Sequence, residues 1–195
     1  MTDQNQVLKE ATTQFVELWS EMAAVWGINR TMAQIHALLY AEARPMNTDD
    51  LMERLSISRG NANMNLRELL QWNLIYKEII PGDRKDYYIA ETEVWTIVSR
   101  IVHERQEREI TPVLHTLRES IQTLDQRENR SAELEDFQDR ITHFVDFLEM
   151  FDRFTHAMLP YITKQNVAFL KQMVRLAEAG QILKSKVSKS DRNEK

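Results

Sequence analysis

The sequence predicts a mainly α-helical fold that contains one small β-hairpin. Apolar residues recur at spacings of three and four along most of the chain, which is the period of an amphipathic helix. The exception is the segment from Leu74 to Ile89, where β-branched and aromatic residues flank the turn signal Pro81-Gly82-Asp83. A short helix, a tight turn and a longer helix precede that hairpin. This order predicts a winged helix-turn-helix module followed by long dimerisation helices.

The module is predicted between Asn47 and Ala90. Thr48 is the expected N-cap of its first helix. Apolar residues of this helix recur at Leu51, Met52 and Leu55. The period breaks at Ser56-Ile57, and Ser58 is the expected N-cap of a second helix. This second helix is the recognition helix of the module.

The recognition helix is predicted to have a buried and an exposed face. Its apolar face contains Ala62, Leu66, Leu69 and Leu70. The opposite face contains Gly60, Asn61, Asn63, Met64 and Arg67. We expect this second face to meet DNA.

The polar residues of the recognition helix support that expectation. Asparagine, a poor helix former, occurs three times within five residues, at Asn61, Asn63 and Asn65. Amide side chains can bind adenine bidentately and arginine can bind guanine, so Asn61, Asn63 and Arg67 are the predicted base readers, with Asn65 nearer the buried side. Ser58 and Arg59, at the helix N-terminus, are predicted to bind a phosphate. The alternative is an ordinary solvated face with cap-like chemistry.

The hairpin is predicted to act as a wing with a basic tip. Arg84 and Lys85 lie beside the turn and can reach a phosphate or the minor groove. Asp83 and Asp86 flank them and nearly cancel their charge, so a solvated turn is the alternative interpretation.

At this point the sequence resembles a known family, the MarR-type winged-helix regulators and, within them, the GbsR-like group. The resemblance lies in QIHALLYAEARPMNTDDLMERLSISRGNANMNLRELLQWNLIYKE, from Gln34, and in PGDRKDYYIAE. It covers roughly residues 15–94. It implies a bacterial-type, homodimeric, cytoplasmic transcription factor that is usually a repressor. Members with an assigned ligand respond to osmolyte-related molecules such as choline or glycine betaine, but no ligand motif can be matched in this chain.

The charge balance is unusual for a protein that binds DNA. The chain has a net charge of −5, whereas neutralisation of phosphates normally supplies much of the affinity. Between Asn47 and Ala90 there are six basic and seven acidic residues. A basic surface therefore requires the helix carboxylates to face away from DNA, and these are Asp49, Asp50, Glu53 and Glu68.

Composition excludes several functional classes. The chain contains no cysteine, so disulfides, thiol redox sensing and Cys-ligated metals are ruled out. We expect no membrane segment, because no apolar run approaches the roughly 20 residues that span a bilayer, and we expect a cytoplasmic protein. The histidines are scattered and form no HExxH motif, even though His103 and Glu107 lie one helical turn apart. We predict no metal, no cofactor, no catalytic residues and no enzymatic activity.

The rest of the chain is predicted to be helical. A first helix, from Val7 to Trp26, carries the apolar stripe Phe15, Leu18, Trp19, Met22 and Val25 and ends at Gly27. A second runs from Thr31 to Glu42. A long helix begins at Val94 and is interrupted near Pro112. Another begins at Ser131, and a last one spans 162–178. The predicted domains are 1–93, with the DNA-binding module, 94–180, for dimerisation and an effector, and a disordered tail, 181–195.

The later helices carry more apolar surface than a monomer would bury, which favours a homodimer. Two recognition helices would then meet a pseudo-palindromic double-stranded DNA site with half-sites about 34–36 Å apart or a multiple of that. The alternative function is a winged-helix module that binds only proteins.

Aromatic residues leave open a pocket for a small-molecule effector. The candidates for an aromatic cage around a cation are Trp19, Trp26, Trp95, Tyr161, Phe137, Phe144, Phe147, Phe151 and Phe154. Plain core or a dimer seam is the more common role of such residues. If a pocket exists, we expect it where the DNA module meets the helix that begins at Val94.

Overall fold

A computed structural model describes residues 2–126, 131–159, 171–172 and 175. The chain divides after Glu104 into two compact units. In order, the elements are α1 (Thr2–Val25), α2 (Arg30–Glu42), β1 (Met46–Asn47), α3 (Thr48–Leu55), α4 (Arg59–Gln71), β2 (Ile75–Glu78), β3 (Tyr87–Ala90), α5 (Val94–Arg105), a π-helical segment (Gln106–Ile110), α6 (Thr111–Asp125) and α7 (Ala132–Met158). The predicted mainly α-helical fold with a small β-hairpin is confirmed.

The core of the first unit lies between α2, α3, α4 and the sheet. Its largest fully buried apolar side chains are Met32, Ile35, Leu38, Leu39, Met46, Leu51, Leu66, Leu69, Ile75 and Ile97. The predicted apolar face of α4 belongs to this core, since Ala62, Leu66 and Leu69 are buried and Leu70 is half-buried. Burial of one face of α4 fixes which residues face outward.

The caps of the helix-turn-helix agree with the prediction at one helix and differ at the other. Ser58 is the N-cap of α4, and its Oγ accepts a hydrogen bond from Asn61 N at 3.3 Å. The expected cap Thr48 is wrong, because Asn47 caps α3: its Oδ1 accepts from Asp49 N at 2.8 Å and from Asp50 N at 3.1 Å. Asp50 accepts in return from Asn47 N, which completes a capping box.

The wing is part of a three-stranded antiparallel sheet with the order β1-β3-β2. Ile75 lies opposite Ala90 in the hairpin, and Met46 of β1 lies opposite Tyr88. Strand β1 was not predicted from the sequence; it joins the chain before α3 to the wing. Gly82 has a φ of 89°, a conformation that glycine adopts without strain, so it suits the turn at the wing tip.

Helix α1 begins before the predicted Val7, and its buried face overlaps the predicted stripe only in part. Val16 and Ala23 are buried together with Thr12 and Ser20. The predicted stripe members Leu18 and Val25 are instead exposed, and Gly27, with a φ of 75°, follows the helix end as expected. The predicted stripe is therefore correct in part, because Phe15 and Trp19 are half-buried and pack against the core.

The helix that begins at Val94 is interrupted as predicted, although just before Pro112 instead of at it. The hydrogen-bonding pattern changes to π-helical over Gln106–Ile110. Pro112 then lies in the first turn of α6, where its missing N–H is tolerated.

In the second unit, α6 packs against α7. Leu114 is buried between them with Val145 and Leu148. Gln106 adds a polar contact, since its Nε2 donates to Asp152 Oδ1 at 2.6 Å and its Oε1 accepts from the Thr155 hydroxyl at 2.8 Å. Ser131 caps α7, as the predicted start of that helix requires. Of the predicted last helix, 162–178, only residues 171, 172 and 175 are described, and each of them is helical. The predicted disordered tail lies outside the described residues.

The domain boundaries at 93 and 180 stay predictions. Within the described ranges, none of the helices combines the length and apolar character that crossing a bilayer would need.

Candidate nucleic-acid interface

The outward face of α4 presents most of the residues predicted for it. Arg59, Gly60, Met64 and Arg67 are exposed, and Asn63 is half-buried. A Cβ added at Gly60 would meet nothing within 4 Å, so open space lies in front of the helix N-terminus. This surface can approach a duplex closely.

Asn61 is held on the inner side of this face. Its Nδ2 donates to Thr31 Oγ1 on α2 at 3.3 Å, and its Oδ1 accepts from Asn65 Nδ2 at 2.7 Å. Asn65 is itself fully buried and also donates to the Asn61 carbonyl oxygen at 2.8 Å. Asn61 and Asn65 therefore form hydrogen bonds within α4 and from α4 to α2. Asn63 is left as the amide nearest the open side.

One carboxylate joins the recognition helix to the wing. Asp49, in the first turn of α3, forms ion pairs with Arg59 of α4 and with Lys85 of the wing, the latter at 3.0 Å. The hydrogen bonds from Lys85 and Arg59 hold the pKa of the Asp49 carboxyl below its usual value. The same contact raises the pKa of Lys85.

We expected Asp49 to face away from DNA so that the surface could be basic, and the structure differs from this expectation. Asp49 does not face away from the predicted DNA-binding cations but lies between two of them. All three side chains are about half exposed, so solvent screens the pairs and each is weak. Sequence reasoning missed this contact because Asp49 and Lys85 are 36 positions apart.

The three charges border a polar recess of about 230 Å³. Its walls are formed by Asn47, Thr48, Asp49, Arg59, Asn63, Lys85, Asp86 and Tyr88. Of the predicted DNA-binding residues, the recess brings together Arg59, Asn63 and Lys85. These residues come from α4 and the wing, so a phosphate placed near the recess would meet cations from both elements.

Hydrogen bonds within the wing tip stiffen it. Asp83 accepts from Lys85 N at 2.9 Å and from the Tyr87 hydroxyl at 2.8 Å. The backbone hydrogen bond from Lys85 lowers the pKa of Asp83, followed by the bond from Tyr87. Asp86 pairs with Lys77 at 2.7 Å. The acidic neighbours of the tip are thus engaged inside the hairpin, and Arg84 is exposed beside them.

The base of the wing is tied to α5 by contacts that sequence reasoning missed. The Tyr76 hydroxyl donates to Glu91 at 2.7 Å, and Arg100 pairs with the same carboxylate at 3.2 Å. The Arg100 guanidinium also lies 5.7 Å from the centre of the Tyr76 ring. Movement of α5 can therefore reach the wing through a direct contact.

The predicted aromatic candidates fall into separate places. Trp19 and Trp26 line one apolar cavity in the first unit, and Trp72 joins them there. The phenylalanines belong to α7 in the other unit, and Tyr161 lies outside the described residues.

Comparison with known proteins identifies the module. Residues 26–86 match the MarR family. They form a MarR family domain. This range begins before α2 and ends in the wing, so it contains α4, Asp49 and the wing cations. The resemblance inferred from the recognition helix and wing is confirmed.

Three curated relatives that the chain resembles come from Bacillus subtilis (strain 168). The putative HTH-type transcriptional regulator YvaV is 22% identical over 79% of this chain and 96% of its own length. The HTH-type transcriptional repressor OpcR is 21% identical over 73% and 86%. The HTH-type transcriptional repressor GbsR is 20% identical over 91% of each. The predicted class, a winged-helix transcriptional regulator, is confirmed.

A solved structure described as the crystal structure of a transcriptional regulator also aligns with the MarR-domain chain. It has a TM-score of 0.47 and 18% identity, and it covers 75% of this chain and 99% of the other.

Proposed function

We propose that the protein is a homodimeric transcriptional repressor that binds a pseudo-palindromic DNA operator through α4 and the wing. One observation carries this proposal: Asp49 links Arg59 of α4 to Lys85 of the wing, next to the exposed face of α4. Cations from two elements at one place suit a DNA backbone, and the neighbouring helix face suits the major groove. Two of the relatives are named as repressors, which supports repression and not activation.

The side chains divide into two roles. Asn63 and Arg67 read base edges, because an amide and a guanidinium can each form paired hydrogen bonds in the major groove. Met64 is exposed beside them and can contact a thymine methyl group. Asn61 reads a base only if its amide exchanges the bond to Thr31 for one to DNA.

The remaining predicted residues position the duplex. Ser58, Arg59 and Gly60 lie at the N-terminus of α4, where backbone N–H groups and the helix dipole favour a phosphate. Arg84 and Lys85 bind backbone phosphates from the wing. These contacts carry affinity and its salt dependence but little sequence preference.

Exposed apolar residues support the homodimer. One long face of α7 exposes Phe137, Phe144, Phe147, Met150, Phe151 and Phe154. A stripe of this kind in a water-exposed helix is typical of an interface with another chain. In a two-fold homodimer this stripe would be buried on both protomers. The dimer would also place two α4 helices on one face of the DNA.

Within this proposal the protein acts in the cytoplasm, where bacterial DNA lies, without enzymatic activity. A small-molecule effector would release the repressor by binding more tightly to an arrangement of the two α4 helices that does not fit the operator.

Paired arginine variants test the proposed role of α4. Arg67→Ala removes a proposed base contact, whereas Arg140→Ala removes one exposed positive charge from α7. We expect Arg67→Ala to reduce the preference for the operator over random duplex by roughly tenfold to a hundredfold, and Arg140→Ala to leave it unchanged. Fluorescence anisotropy with both duplexes measures the ratio. Equal effects of the two substitutions would contradict the proposal and favour a module that binds proteins.

A further inference from the structure

The base of the wing is held by a hydrogen-bonded cluster around Arg100 of α5. The Arg100 Nη1 atom donates to the Tyr76 hydroxyl of β2 at 2.6 Å and to Glu91, directly after β3, at 3.2 Å. It also donates to the carbonyl oxygen of Asn73, in the turn between α4 and β2. One side chain of α5 therefore contacts both sides of the wing base and the turn that follows the recognition helix. These four residues are called the Arg100 cluster below.

Glu91 gives the Arg100 cluster a fixed geometry. Its Oε2 accepts from the Tyr76 hydroxyl at 2.7 Å and from Arg100, while its Oε1 accepts from the backbone N–H of Glu93 at 3.0 Å. Both carboxylate oxygens are therefore used, and the segment that leads into α5 is bound to the same group. The side chains of Arg100 and Glu91 are 30% and 18% exposed, so solvent screens this ion pair less than the half-exposed pairs of Asp49.

The wing is held at two points, and a bound duplex would release one of them. At the tip, Lys85 pairs with Asp49 on the exposed surface. A phosphate that binds Lys85 must replace Asp49, so this contact cannot orient the wing in a complex with DNA. At the base, the Arg100 cluster does not compete with phosphate for the proposed DNA-binding cations. The direction of the wing on DNA therefore depends on the base.

A small tilt at the base is enlarged at the tip. Tyr76 lies opposite Ile89 in the hairpin, and Arg84 precedes Ile89 by five positions. Since a strand advances about 3.3 Å per residue, Arg84 can lie up to roughly 16 Å from the base, and a tilt of about 10° would move it by about 3 Å. That displacement is as long as a hydrogen bond to a phosphate oxygen, about 2.9 Å. The pair between Lys77 and Asp86 stiffens the hairpin, so a tilt at the base reaches the tip.

We propose that Arg100 is a positioning residue for DNA binding, which holds Tyr76 and Glu91 so that the wing delivers Arg84 to a backbone phosphate. The inference rests on the proposed function, because that function gives the wing its phosphate contact. It adds a residue of α5 that does not itself touch DNA to the determinants of affinity.

Two substitutions open the Arg100 cluster in different ways. Arg100→Met removes the hydrogen bonds of the guanidinium and keeps an unbranched side chain. Tyr76→Phe removes only the hydroxyl, so the ring beside the guanidinium and every charge are retained. Arg105→Met is the matched control, because the side chain of Arg105 is 34% exposed, close to the 30% of Arg100, and it pairs with Glu109 only four positions along the chain.

The test measures the contribution of Arg84 to binding in each of these backgrounds. Fluorescence anisotropy of each intact variant, with and without Arg84→Ala, follows binding to a duplex of random sequence over a range of salt concentrations. A random duplex is sufficient because phosphate contacts do not depend on sequence.

We expect Arg84→Ala to reduce the slope of log affinity against log salt by about 0.9 per protomer in the otherwise unaltered chain and beside Arg105→Met. Beside Arg100→Met or Tyr76→Phe, the same substitution should reduce the slope by no more than about half of that amount, because the wing no longer delivers Arg84 to a phosphate. A direct phosphate contact by Arg100 would instead make the two effects additive.

Urea unfolding of each variant separates positioning from stability. A residue that only stabilises the fold would lower the free energy of unfolding but leave the contribution of Arg84 complete in the folded protein. A complete Arg84 contribution beside Tyr76→Phe and Arg100→Met would therefore overturn the proposal, as would an equal loss beside Arg105→Met. If Arg100→Met does not fold, Tyr76→Phe alone decides the result.

Failure of this inference and failure of the proposed function give different results. If Arg84→Ala reduces the salt slope by the same amount in every background, only the positioning role of Arg100 is contradicted. If Arg84→Ala leaves the salt slope of the otherwise unaltered chain unchanged, the wing makes no phosphate contact, and both the proposed role of the wing and this inference are contradicted.

Discussion

Replacing Asp49 with asparagine isolates the carboxylate that joins the recognition helix to the wing. In the free protein this carboxylate pairs with Arg59 and Lys85, two of the residues proposed to bind phosphate. A DNA phosphate that approaches either cation must compete with Asp49. The substitution keeps the shape of the side chain and removes its charge, so we expect Asp49→Asn to bind all duplexes more tightly at low salt.

The size of the effect follows from the charges in the contact. Arg59, Lys85 and Asp49 together carry a net charge of +1, and the variant carries +2. One more uncompensated cation on each protomer should steepen the plot of log affinity against log salt by about 0.9, or about 1.8 for a dimer. Between about 50 and 200 mM salt, the advantage of the variant should therefore shrink by roughly tenfold.

Salt titrations with operator and random duplexes measure both quantities. Glu53→Gln is the control, because Glu53 is an exposed acid one turn further along α3 and also loses one negative charge. We expect the random duplex to gain more than the operator, so Asp49→Asn should be less selective. Weaker binding by the variant would show that Asp49 positions the cations. If Asp49→Asn and Glu53→Gln gave equal slopes of log affinity against log salt, the idea that Asp49 competes locally with a DNA phosphate would be refuted.

Four further results are expected. Asn63→Ala or Arg67→Ala should weaken operator binding by about 1–3 kcal/mol and relax the preference at one base pair, which titration of single-mismatch duplexes measures; unchanged preference would contradict base reading. Arg84→Ala should weaken all duplexes alike and reduce the salt slope by about 0.9 per protomer; altered sequence preference would contradict its assignment to phosphate. His36 has a folded pKa of about 4 and an unfolded value of 6.5, so its stabilising contribution is complete above pH 6.5 and is lost as pH falls towards 4. Urea unfolding across that window should show a loss of up to about 3 kcal/mol that His36→Leu lacks, and parallel profiles would contradict the burial argument. Phe147→Glu should shift the protein towards monomer in sedimentation experiments, whereas an unchanged dimer would exclude this face as the interface.

The sequence predicted the DNA-binding elements well because their signals are local. Ser58 can be read as a cap from its position before an apolar period. The turn signal at Pro81-Gly82-Asp83 marks the wing in the same way. The α4 face follows from spacing alone, since Ala62 and Leu66 are one turn apart and both are buried.

Features that depend on tertiary contacts were missed or misplaced. Strand β1 has only two residues, too few for an alternating pattern, and exists because Met46 pairs with Tyr88. The buried face of α1 was predicted only in part, because the apolar residues of this helix occur on several sides. Only packing selects Val16 and Ala23 for burial and leaves Leu18 exposed.

The candidate DNA-binding site also depends on tertiary contacts that the sequence does not show. The composition of α4 drew attention to three asparagines, but composition cannot separate Asn61 and Asn65, which bond to each other, from Asn63. A signal was available in the spacing of four between the first two, which places them on one side of the helix. The contact of Asp49 with Lys85 has no comparable signal, because the sheet alone brings α3 beside the wing.

The proposed function requires that the protein bind a two-fold DNA site specifically. Selection from random duplexes with the purified protein at near-physiological salt tests this requirement, and affinity titration of the enriched sequence then measures the strength of binding. We expect an enriched pseudo-palindrome whose half-sites are about one helical turn, or a whole number of turns, apart. Enrichment of no sequence, with binding no tighter than to random DNA, would contradict it.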